Sequence, residues 1–161
     1  MQKIDDRFES LATGAKKLGA ALGLSLSAVA LNGWIHGAVQ AAANTAVFAQ
    51  RIDATVESLT KMRYVAEQAG VTADIFDASM MRLTRRLGAA KNGGGPAIAT
   101  LDRLGLSASH LLSLPLDKRL DAIGGAMKKL ETQAERLTAA QDLAGDSARQ
   151  LVPMWMLQAE E

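Results

Sequence analysis

Apolar residues in this chain recur at steps of three and four, and short glycine, proline or serine breaks keep cutting the pattern. The clearest run lies between Asn44 and Ala69, where Phe48, Ile52, Val56, Leu59, Met62, Ala66 and Ala69 follow a spacing close to a heptad. It predicts one helix, closed at Gly70. A helix with a single narrow stripe is stable only when that stripe is covered, so such helices need one another or further copies of the chain. Sheets draw on β-branched and aromatic side chains. Aromatics here make up 4%, and alanine and leucine dominate, so the chain reads as all-α.

Composition narrows the function classes. With 48% hydrophobic and 22% charged residues over 161 positions, the chain is too apolar for a disordered tail and too polar for a bundle of membrane spans. Eighteen Lys+Arg against seventeen Asp+Glu leave a net charge of +1. A dedicated nucleic-acid binder carries a larger basic excess, because phosphate neutralisation dominates its affinity. No specific nucleic-acid contact is therefore expected. Cysteine is absent, which removes disulfide frameworks, zinc knuckles and thiol nucleophiles. His36 and His110 stand alone, so no histidine metal site and no cofactor are expected.

Three segments follow from the breaks: 1–50, 51–92 and 96–157. Residues 1–17 carry mixed charge with Ile4, Phe8 and Leu11 in helical register; from 18 to 50 there is no formally charged side chain. Residues 18–31 are the most apolar run; its fourteen residues are fewer than the ~20 that a spanning helix needs. Extending the run to Gly37 places Asn32 near mid-bilayer. Gly19/Gly23 and Gly33/Gly37 have the spacing that lets two helices approach closely. Leu18, Gly19, Leu22, Gly23, Leu26, Leu31, Gly33 and Gly37 thus form a candidate helix-packing segment, with membrane activity as the alternative. A third reading, a cleaved leader, draws on Lys16, Lys17 and Ala28-Val29-Ala30. Asp5, Asp6 and Glu9 oppose it, since they sit where a leader is basic.

Further along, Thr72 caps a helix with the stripe Phe76, Met80, Leu83 and Leu87. Asn92-Gly93-Gly94-Gly95 is the strongest break, and Pro96 is placed as a first helical residue. Shorter helices follow, stopped at Gly105, capped at Ser107, and restarted after Pro115. Thr132-Gln133-Ala134-Glu135 has the form of a capping box. Gly145 ends the next helix, and Pro153 bends or ends the last. The glycine break is expected to separate two halves. In the second, Leu101, Leu104, Leu111, Leu116, Leu120, Ile123, Leu130, Leu137, Leu143 and Leu151 should be buried together as a cluster of short helices. The first should be elongated and coiled-coil-like. Its interface between copies would use Phe48, Ile52, Val56, Leu59 and Met62, and its small face, Ala38, Ala41, Ala42 and Thr45, should meet a neighbouring helix.

The residues do not assemble a catalytic motif. Asp117/Asp121 and Asp74/Asp77 each put two carboxylates about one turn apart, but acid–base work needs burial to split their pKa values, and Lys118 and Arg119 adjoin the first pair. Gly93 to Gly95 lack the Lys-Ser/Thr of a phosphate cradle and read as a hinge. Arg82, Arg85, Arg86 and Lys91 make a local basic face without aromatics for base stacking. Trp34 and Trp155 are the largest apolar surfaces, suited to anchoring a core or an interface. The chain is expected not to be an enzyme.

The stretch from Tyr64 through Glu67-Gln68-Ala69-Gly70-Val71-Thr72 to Asp74, followed by Met81-Arg82-Leu83-Thr84-Arg85-Arg86-Leu87, resembles a segment of the tail tape-measure proteins of long-tailed bacteriophages. Ala99 to Ser107, the helix from Pro115 to Leu130, and the closing Ala140 to Met154 are similar to the same family; Ala144 departs from it by standing where a Phe is common. The resemblance covers about residues 50 to 157. It implies an elongated helical protein inside the tail tube, present with copies of itself beside tube and distal tail proteins. Such a protein sets tail length and leaves ahead of the DNA. It also implies that an apolar segment such as 18–31 could meet the host inner membrane. As one unbroken helix this chain would reach only roughly 240 Å, so it reads as a fragment or a short member. The rival reading is a membrane-perturbing or pore-forming helical protein acting through residues 18–50.

Overall fold

A computed structural model describes the backbone of residues 28–158 and the side chains of residues 36–157. The described residues are helical, without strands: α1 (Ala28–Arg51), α2 (Val56–Gln68), α3 (Ala73–Lys91), α4 (Ala97–Leu104), α5 (Ala108–Ser113), α6 (Leu116–Met127), α7 (Gln133–Ala144), a 3-10 turn (Asp146–Leu151) and α8 (Val152–Gln158). The chain divides into two units, residues 1–45 and 46–161. Of the first unit, the described part is helix, with residues 36–44 exposed.

The second unit closes its own core. In it α3 touches α2, α4, α5, α7 and the 3-10 turn, while α6 lies between α2 and α8. Leu59, Phe76, Leu83, Leu87, Leu111, Leu120, Ile123, Leu143, Leu151 and Trp155 are fully enclosed. Each such side chain contributes on the order of 1.5–3 kcal/mol through the apolar area it removes from water. Of the ten residues expected to cluster after the glycine break, eight are buried, and Leu130 and Leu137 pack against the core from its edge.

Local chemistry sets most helix ends. Thr55, Thr72, Ser107 and Thr132 accept from backbone N–H groups three residues on. Glu135 returns the bond to the Thr132 N–H at 3.0 Å, completing the capping box. At the end of α2, the Gly70 N–H bonds Glu67 O and the Val71 N–H bonds Ala66 O, both at 2.9 Å. This paired closure puts Gly70 at φ +78° and folds Val71 into the core. Pro96 is the residue before α4 rather than its first turn. Pro153 stands second in α8, where its missing N–H has no intrahelical acceptor to serve, and the preceding turn is 3-10.

Three further expectations are corrected. The helix expected from Asn44 to Ala69 is two helices. The chain turns at Asp53, which takes φ +54°, a conformation Asp tolerates better than most residues, and Thr55 starts the next helix. The glycine break at 93–95 does not separate halves, because α3 before it packs on α5 and α7 after it. The proposed interface Phe48, Ile52, Val56, Leu59 and Met62 is largely spent within the chain. Ile52, Leu59 and Met62 are at most 1% exposed, Phe48 is half-buried, and only Val56 is open. The turn at Asp53 lets Ile52 and Leu59 both reach the one core, so no coiled-coil stripe remains along them.

Candidate functional site

Several charged side chains in the second unit tie helices together. Arg119 is the sharpest case, lying in α6 with no exposed surface. Its Nε donates to Leu111 O at 2.9 Å, one terminal nitrogen to Leu114 O at 3.2 Å, and the other to Ile52 O at 3.4 Å. These are carbonyls at and just beyond the ends of α5 and α1: Leu111 O also accepts from the Leu114 N–H at 3.2 Å, whereas Leu114 O and Ile52 O lie past their helices, where intrahelical donors run out. Burial lowers the pKa of the guanidinium from its ordinary value, and the charge of Asp53 works against that shift. Position 119 falls on the apolar register of Leu116, Leu120 and Ile123, so periodicity alone carried a signal that this arginine would be enclosed.

The carboxylate pairs do not converge on a reaction centre. Asp77 accepts two bonds from Arg63, at 2.8 and 2.5 Å, across α2 and α3. Arg63 also sits 5.4 Å from the centre of the Phe48 ring. Asp117 accepts from the Ser58 hydroxyl and its own N–H donates back to that hydroxyl, each at 3.2 Å. Asp121 pairs with Lys118 on an exposed edge. The basic face divides likewise. Arg82 donates to Ser147 Oγ at 2.7 Å, and Arg86 donates to the carbonyls of Gln141 and Asp142 at the end of α7. Arg85 and Lys91 are left exposed.

Two grooves lie on the surface of the second unit. A groove of about 690 Å³ runs between α2 and the start of α3, lined by Thr60, Arg63, Tyr64, Glu67, Val71 and Ala73, with Tyr64 62% exposed. A smaller one of about 350 Å³ gathers Lys61, Met62, Val65, Asp117, Asp121 and Leu157. No cluster of three or more metal-binding side chains occurs among the described residues. His36 and His110 are both exposed. Trp155 anchors the core, whereas the Trp34 side chain lies outside the described residues.

Of the helix-packing segment, Leu18, Gly19, Leu22, Gly23 and Leu26 lie outside the described residues. Leu31 and Gly33 are placed by backbone alone within α1. Gly37 is helical and exposed, with space for a Cβ. Ala38, Ala41 and Ala42 are exposed around the same helix, and Thr45 is half-buried. No described helix is long and apolar enough to cross a membrane. The described residues are all helical, and their partly buried charged groups bind helix-end carbonyls and side chains of neighbouring helices. Compared with protein-family models, curated proteins and solved structures, the chain matches none.

Proposed function

We propose that this chain is a structural, non-catalytic component of a bacteriophage tail, similar to the tape-measure proteins, and that it assembles with copies of itself inside the tube. The observation that carries the reading is the contrast between the two units. The stripes of residues 46–157 are consumed in one core, whereas residues 36–44 of α1, without a formally charged side chain, are all exposed. An uncharged helical surface of this kind is one that a neighbouring helix covers, and Gly37, Ala38, Ala41 and Ala42 permit close approach. The segments that carry the family resemblance are also those that build the core. In this role tube and distal tail proteins are the partners, and the chain leaves the tube ahead of the DNA, with the host inner membrane as a later contact.

In-frame deletion of residues 28–45 in the parent phage tests the ruler directly. At 1.5 Å per helical residue, tails in electron micrographs should shorten by about 27 Å; unchanged length refutes it. Sedimentation velocity tests the assembly, and a monomer independent of concentration removes it. The rival, membrane perturbation through residues 18–50, predicts co-flotation with anionic liposomes and release of an entrapped dye, which the structural role does not require.

A further inference from the structure

We infer that Asn92–Gly93 is a site of spontaneous deamidation, gated by the turn that closes α3. The Gly93 N–H donates to Ala90 O and the Gly94 N–H to Ala89 O, both at 3.0 Å, in the same paired closure that ends α2. Asn92 is the cap residue at φ −92°, ψ 13°, and Gly93 takes φ +81°. Both residues are exposed to water.

The chemistry needs the atom that this turn holds. The Gly93 nitrogen, after losing its proton to solvent base, attacks Asn92 Cγ. The N–Cγ bond forms, the Cγ–Nδ2 bond breaks, and the amide nitrogen leaves as ammonia with a proton taken from water. Water then adds to one of the two imide carbonyls, opening the ring to aspartate or to isoaspartate. A glycine after the asparagine offers no side chain to obstruct ring closure. In the closed turn, however, the nucleophilic N–H is tied to Ala90 O, and ψ near zero turns the Gly93 nitrogen away from the side of Cα that carries Cβ. The ring closes only when the last turn of α3 opens, and helix ends are among the segments that open most readily. Aspartate would then place a negative charge at the negative end of the α3 dipole. Isoaspartate would add a backbone atom inside the closure that leads into Pro96 and α4.

The test follows the full chain by peptide mapping during incubation at mildly alkaline pH, scoring the gain of one mass unit at Asn92 and resolving the two isomers. Conversion should be roughly tenfold or more faster in urea than in buffer, the factor by which turn opening limits it. Gly94→Pro keeps the Asn-Gly pair but deletes the bond to Ala89 O, and should raise the rate in buffer toward that in urea, with circular dichroism checking that the helices remain. Equal rates folded and unfolded would overturn the gating. Absence of conversion at Asn92 in urea would overturn the site itself.

Discussion

Arg119→Ala offers the most exacting test of how this core is held. The wild-type guanidinium supplies three donors to Leu111, Leu114 and Ile52 carbonyls, two of them at 3.2 Å or less. Removing it strands the Leu114 and Ile52 carbonyls, leaves Leu111 O with the Leu114 N–H alone, and opens a void the length of an arginine. A buried acceptor without a partner costs about 1–3 kcal/mol. Two stranded acceptors therefore sum to about 2–6 kcal/mol before relief is counted. Part returns because the buried cation no longer needs desolvation, so about 3 kcal/mol is expected. For a domain near a hundred residues each kcal/mol moves Tm by about 4–8 °C, hence a fall of about 12 °C or more. Urea denaturation followed by far-ultraviolet circular dichroism gives the free energy, and a thermal scan gives Tm. Arg119→Met separates the causes, because it refills the space but supplies no donor. Methionine should recover the void contribution and still leave the protein clearly below wild type. Stability equal to wild type in Arg119→Met would refute the argument, since the carbonyls would then be shown to need no donor.

Neighbouring glycines in α6 should answer alanine in opposite directions. A Cβ at Gly124 collides with the Trp155 backbone carbonyl, which cannot rotate away, so Gly124→Ala should cost about 1–3 kcal/mol; Gly125 has open space, and Gly125→Ala should gain about 0.5–1 kcal/mol by helix propensity in the same melt. Leu120→Ala, at a fully enclosed position, should cost about 2–5 kcal/mol in urea titration, whereas a melt that does not move would mean that α6 is not packed as described. Bonds from the Thr132 backbone and then its side chain lower the Glu135 pKa below its ordinary 4.5. The capping contribution is therefore complete above that value and is lost as pH falls through the lower folded-state pKa, so Glu135→Gln should flatten the acid limb of a Tm-against-pH curve.

Much of the secondary structure was legible because it is decided within a few residues. Thr72, Ser107 and Thr132 cap their helices through bonds three positions away, and Gly70 and Gly105 stop theirs with positive φ, as their types and places require. Stripes at steps of three and four also identified Leu111, Leu120, Ile123 and Leu143 as core, since a helical register does not depend on what it packs against. What covers a stripe is another matter. The repeat from Phe48 to Met62 fits a second copy and an intramolecular core equally well, and only the turn at Asp53 and the placement of α6 give Ile52, Leu59 and Met62 to the latter. Arg119 meets Ile52 O across 67 positions of chain, and Gly124 meets Trp155 across two helices. Such pairings exist only once the helices have packed, because the partner is chosen by space and unsatisfied hydrogen-bonding groups rather than by neighbours in the chain. The α1 surface belongs to both levels: its lack of charge is written in residues 18–50, whereas the exposure of residues 36–44 is read only from the structure of the described residues.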